Sequence, residues 1–173
     1  GGVRMDALRV GDVVADGPGG STSPVVGWSH ADAAGVARLV VVATSDGRVL
    51  ALTPGHYLPL GGAEAATDGR CTRYGGRCLV PARRLVLGDT LAAMPATAAS
   101  TCGAGAGTPV PATVSRLSSS VTTSGVYAPH TASGWLIVDG VLVSAYTEAL
   151  PPAVAHAATG VLRAAAGAGG GWA

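Results

Sequence analysis

Short apolar runs broken by Gly, Pro, Ser and Asp dominate the chain. Segments 10–15, 24–28, 38–43, 48–52, 57–60, 78–81, 89–92, 112–117, 135–138 and 141–146 are each strand-sized and rich in Val, Leu or aromatic residues. Their spacing predicts an all-β domain. Asp46-Gly47 between two apolar runs predicts a tight primed hairpin, because both residues tolerate positive φ, and Asp139-Gly140 repeats the device. Only 152–166 has helical periodicity, with Val154, Ala158, Val161 and Leu162 on one face before a Gly-rich end. It predicts one short, peripheral C-terminal helix.

The pattern also repeats. Leu8-Arg9-Val10-Gly11-Asp12 matches Leu85-Val86-Leu87-Gly88-Asp89 at an offset of 77, and Thr44-Ser45-Asp46-Gly47 matches Thr131-Ala132-Ser133-Gly134 at an offset of 87. Two copies of one β unit account for this, with an insertion in the second. Segment 96–107, rich in Pro, Ala, Thr and Gly and without periodicity, predicts that insertion as a flexible surface loop. The copies differ after the first Thr-x-x-Gly turn, where Leu52-Thr53-Pro54-Gly55-His56 places a hydroxyl and an imidazole three apart. A symmetric scaffold with asymmetric polar residues points to chemistry in the first copy.

Composition narrows the function classes. Of 173 residues 48% are hydrophobic and 12% charged, with 11 basic against 10 acidic, which excludes intrinsic disorder and a basic nucleic-acid footprint. The length fits one domain over 1–150 and a helical, Gly-rich tail over 151–173. No apolar run reaches the roughly 18 residues that would span a bilayer. The chain opens Gly1-Gly2-Val3-Arg4 without an initiator Met or a signal segment, so we expect a piece of a longer polypeptide. Cys71, Cys78 and Cys102 have no zinc-ligand spacing, and we expect no metal or cofactor. Cys71 and Cys78 are either bridged, in an oxidising compartment, or two loop thiols.

Four stretches in order carry a resemblance: Leu8-x-x-Gly11-Asp12-x-Val14; Leu52-Thr53-Pro54-Gly55-His56; Gly125-Val126-Tyr127-Ala128-Pro129-His130-Thr131-x-x-Gly134; and Val141-Leu142-Val143-Ser144-Ala145-Tyr146. Each is weak alone, and together they are specific. The chain resembles the Hint domain of Hedgehog precursors and inteins, and the Hedgehog branch most closely. The resemblance implies a disk-like β fold with a pseudo-two-fold internal duplication. It also implies intramolecular acyl transfer, in which a Cys heading the domain turns the peptide bond before it into a thioester. A second nucleophile then resolves the thioester: a sterol, another lipid or water.

Matched position by position, Thr53 and His56 are the family's Thr-x-x-His pair. The implied roles are polarisation of the scissile amide by Thr53 and proton donation to the leaving nitrogen by His56. His30 stands where animal Hedgehog proteins carry an acidic residue that activates the sterol hydroxyl, and Asp32 follows two residues later. Either is a candidate base for the second nucleophile. His130 reads as structural and His156 as solvated.

The family's nucleophile belongs upstream of Gly1, and Ala145 replaces a Cys that animal relatives carry. None of Cys71, Cys78 or Cys102 can substitute, since the nucleophile must be attached to the scissile bond. The expected partner is the protein's own upstream segment, with a sterol or other small nucleophile second, in a monomer of the secretory pathway or extracellular space. The alternatives are a non-cleaving Hint scaffold serving as an interaction module and an unrelated secreted β-sandwich.

Overall fold

Strands form where the apolar runs predict them. The computed structural model describes residues 2–61, 69–95, 109–122 and 124–168. Its strands are β1 (Val13–Ala15), β2 (Thr22–Asp32), β3 (Ala37–Thr44), β4 (Val49–Leu52), β5 (Tyr57–Leu60), β6 (Thr72–Tyr74), β7 (Arg77–Pro81), β8 (Thr90–Ala93), β9 (Val110–Thr122), β10 (Val126–Thr131), β11 (Trp135–Val138) and β12 (Val141–Ser144). Two helices follow, α1 (Pro152–Ala158) and α2 (Gly160–Ala168), and one-turn 3-10 helices cover Met5–Ala7 and Ala82–Arg84. The fold is mostly β with antiparallel pairing. The inserted loop expected over 96–107 lies outside the described residues.

The repeat is physical. Each 3-10 turn leads into a Gly-Asp step with the same hydrogen bonds: Gly11 N donates to Val25 O and Gly88 N to Val114 O, while Val25 N donates to Asp12 O and Val114 N to Asp89 O. Each Asp carboxylate also accepts a backbone N–H three residues earlier, from Arg9 at 2.8 Å and Val86 at 2.9 Å. Equivalent strands are exchanged between the copies, since β3 pairs with β9 and β2 pairs with β10. Neither copy therefore has a complete sheet without the other. Val42, Leu50, Leu58, Leu91, Val114, Val141 and Val143 fill the shared core, each almost wholly buried.

Asp12 and Asp89 are not energetically equivalent. Asp12 is exposed, whereas Asp89 also takes a bidentate pair from Arg70 at 2.9 and 3.0 Å with both side chains largely out of water. Removing one member of a shielded pair leaves the other charge poorly solvated. We expect Asp89→Ala to destabilise by about 2–3 kcal/mol and Asp12→Ala by about 1 kcal/mol, the net worth of a backbone contact. Urea unfolding of both variants checks this, and equal losses would refute the asymmetry.

Several expectations change. Two strands escape the apolar pattern: β6 is short and polar, and β10 contains Pro129. A proline is tolerated there because β10 is the edge strand of its sheet and carries a register shift between Ala128 and Pro129. Asp139-Gly140 forms the expected primed turn, with φ 48° and 79°. Asp46-Gly47 does not. Its turn spans Thr44 to Gly47, closed by Gly47 N donating to Thr44 O at 3.1 Å, with Thr44 Oγ1 hydrogen-bonded to Asp46 and Arg48 N. That side-chain hydroxyl selects the longer turn, as Thr131 does in the second copy by donating to Trp135 O. The single predicted helix is interrupted at Thr159, whose hydroxyl returns to His156 O at 3.0 Å just before Gly160.

Candidate functional site

The copies part at the connection that follows β4 and β11. Asp139 and Gly140 join β11 directly to β12, whereas Thr53-Pro54-Gly55-His56 fills the corresponding place between β4 and β5. All four carbonyls of that turn are satisfied. Thr53 O accepts from His56 N at 3.0 Å, Pro54 O from Arg83 N at 2.9 Å, Gly55 O from Glu148 N at 2.8 Å and His56 O from Ala82 N at 2.8 Å. The turn is held between the second 3-10 helix and the segment after β12, where His56 also bridges to Thr147.

Thr53 and His56 line one cleft of about 220 Å³ with Met5 of the first 3-10 turn, Leu39, Ala51, Thr122 and residues 125–128. The cleft lies where the exchanged strands of the two copies meet. Tyr127, on β10, is braced by Trp28 edge-on at a ring separation of 6.3 Å.

His56 lines the cleft and is half-buried. Its Nε2 is 2.6 Å from Ser144 O. A carbonyl can only accept, so Nε2 carries hydrogen and Nδ1 is the nitrogen left for proton transfer in the neutral ring. Burial holds the imidazole below its ordinary pKa, the Ser144 carbonyl opposes this, and nearby His130 adds to the lowering. The ring is therefore neutral at physiological pH.

His30 and Asp32 are exposed on β2 and do not line the cleft. They pair across to Ala128 and Val126, which do. Asp32 Oδ1 also accepts Ala34 N at 3.0 Å, closing the turn after β2. Of the four candidates, Thr53 and His56 are thus brought together, and His30 and Asp32 occupy the adjoining strand. Met5 and Thr122 had no sequence signal, Tyr127 lay inside a quoted motif without standing out, and Ser144 contributes a backbone atom that side-chain chemistry does not reveal.

His156 is half-buried and hydrogen-bonded rather than freely solvated. Burial pushes the Tyr146 phenol up to about 12, so it stays protonated, and its hydroxyl is hydrogen-bonded with His156 Nδ1. Tyr74 and Trp135 complete an aromatic cluster beneath α1, and the His130 ring lies 5.8 Å from Tyr146, its buried Nδ1 without a hydrogen-bond partner among the described residues. Cys71 and Cys78 form a disulfide beside the β6–β7 hairpin, with Cα atoms 5.3 Å apart.

A family model described as the Hint module matches residues 1–169. The curated proteins contain no match to this sequence. Among solved structures, the crystal structure of the Ssp DnaB mini-intein variant M86 superposes with a TM-score of 0.54 at 10% identity, covering 79% of this chain and 77% of that one. The G-1F mutant of the same variant gives 0.55 at 10% identity, over 83% and 88%. At that identity the likeness is one of fold.

Proposed function

The chain belongs to the Hint family, and from that premise we propose that it is the self-processing part of a larger precursor, cleaving by an N-to-S acyl shift and thioester transfer. Among relatives we favour the Hedgehog type, on the four sequence stretches given above. In the first step a cysteine upstream in the precursor attacks the carbonyl carbon of the peptide bond preceding it. The S–C bond forms, the C–N bond breaks, and the amine leaves as it gains a proton. Neutral His56 takes the thiol proton on Nδ1 and returns it to the departing nitrogen, while Thr53 hydrogen-bonds the scissile amide. Holding these groups together removes the entropic part of an otherwise uphill step.

A sterol, another lipid or water then attacks the thioester carbon and releases the upstream segment. His30 is our first candidate base for this step, since Asp32 is engaged in its own turn. The Cys71–Cys78 disulfide supports a parent that matures in an oxidising compartment, the secretory pathway or the extracellular space.

The carrying observation is that Thr53 and His56 share a cleft with Met5, so the start of the domain runs past the pair. The test is a precursor bearing a leader and a cysteine at the family's position upstream of Gly1. It is expected to sever itself and to be accelerated by hydroxylamine or dithiothreitol, which intercept thioesters. A precursor that folds yet stays whole under both reagents would leave the non-cleaving scaffold as the better reading.

A further inference from the structure

Resting on that reading, we infer that Arg83 and Glu148 together form a positioning clamp on the turn that carries Thr53 and His56. Arg83 N–H holds Pro54 O and Glu148 N–H holds Gly55 O, so each residue grips one of two successive carbonyls of the turn. Their side chains then close the loop. The Arg83 guanidinium donates to both carboxylate oxygens of Glu148, Nε to Oε1 at 2.6 Å and a terminal nitrogen to Oε2 at 2.5 Å. The pair joins segments 65 residues apart in sequence and encloses Pro54-Gly55 between them.

Gly55 shows how closely the pair lies over the turn. A Cβ built there would stand 3.1 Å from Glu148 Cγ and 3.2 Å from its Oε1. The adjacent Ala82 N–H to His56 O bond and the bridge from His56 to Thr147 pass the constraint to the imidazole. Arg83 also holds the Glu148 carboxyl below the usual range, so the pair remains charged near neutral pH. The ion pair is exposed and adds little to global stability by itself. Its geometry instead fixes where His56 sits, and reacting groups are sensitive to displacements well under the size of an atom.

Two measurements test the clamp. In the chain as it stands, amide exchange at His56, Arg83 and Glu148 should quicken several-fold in Glu148→Gln and Gly55→Ala, with the β9 amides unchanged. In the cysteine-bearing precursor, Arg83→Glu or Glu148→Arg alone should slow thioester formation roughly three- to tenfold, the range an exposed bidentate pair permits. The double charge swap should recover most of the loss, which a merely structural role for either residue would not produce. Unchanged exchange, or a swap no better than the single variants, would overturn the clamp. A precursor that does not cleave defeats the functional reading, while the exchange measurement still decides the clamp.

Discussion

Replacing His56 with alanine should slow the first acyl shift of the cysteine-bearing precursor by about 10²–10⁴-fold, the usual worth of a positioned acid–base group. The variant loses the Nε2–H to Ser144 O bond and the packing of the ring, but the backbone hydrogen bonds of the turn remain, so it should stay folded. The check is the rate of hydroxylamine-sensitive cleavage beside a thermal melt. A folded variant that cleaves within a few-fold of the parent would remove His56 from the mechanism.

The pH profile gives the sign of the role. The imidazole is held below its ordinary value near 6.5, chiefly by burial. The neutral ring accepts the thiol proton first, so the rate stays undiminished by His56 as pH falls to about 6.5 and drops only below it. A rate that instead rises through that range on acidification would show imidazolium to be the working form. Stability has the same sense. The unfolded chain takes up a proton that the buried folded ring refuses, so His56 favours the fold fully above 6.5, and that contribution is lost as pH falls toward the folded pKa. His130 and His156, also lowered by burial, act in the same direction.

The largest stability effect is expected at Gly134. Its φ is +81°, and an added Cβ would stand 2.8 Å from both Cε2 and Oη of Tyr146, a side chain only 2% exposed and bonded to His156. The strained backbone costs about 1–2 kcal/mol and the forced shift of a packed ring about 1–3 kcal/mol, so Gly134→Ala should lose about 2–5 kcal/mol. That is a large part of a typical stability of about 5–15 kcal/mol. Its repeat mate is an internal control. Gly47 has φ +87° with nothing within 4 Å of an added Cβ, so Gly47→Ala should lose only the backbone share, about 1–2 kcal/mol. Chemical denaturation of both variants decides it; equal losses would mean that the Tyr146 contact carries no weight.

The two glycines illustrate what a sequence can carry. Thr44-x-x-Gly47 and Thr131-x-x-Gly134 read alike because a turn needs a hydroxyl and a positive φ, and both needs are local. The same holds for Gly11-Asp12 and Gly88-Asp89, whose hydrogen bonds close within a few residues or onto the next strand. At Asp46-Gly47 the Thr44 hydroxyl competes with the usual hairpin and wins. β10 escaped because whether Pro129 is tolerated depends on having no neighbour on one side.

The sequence by itself determined the all-β class, the duplication and the asymmetry at Thr53 and His56, because periodicity, turn chemistry and residue type are properties of neighbours along the chain. Only the tertiary structure decided the rest. Strand exchange between the copies brings residues 125–128 and Met5 to the same cleft as His56, and the end of β12 supplies the carbonyl that fixes its tautomer. The same packing sets Arg83 against Glu148 and turns His156 from a surface residue into a partner of Tyr146. These contacts join segments tens of residues apart. Burial and hydrogen bonding at that range depend on which surfaces meet, and no local pattern of residues records that.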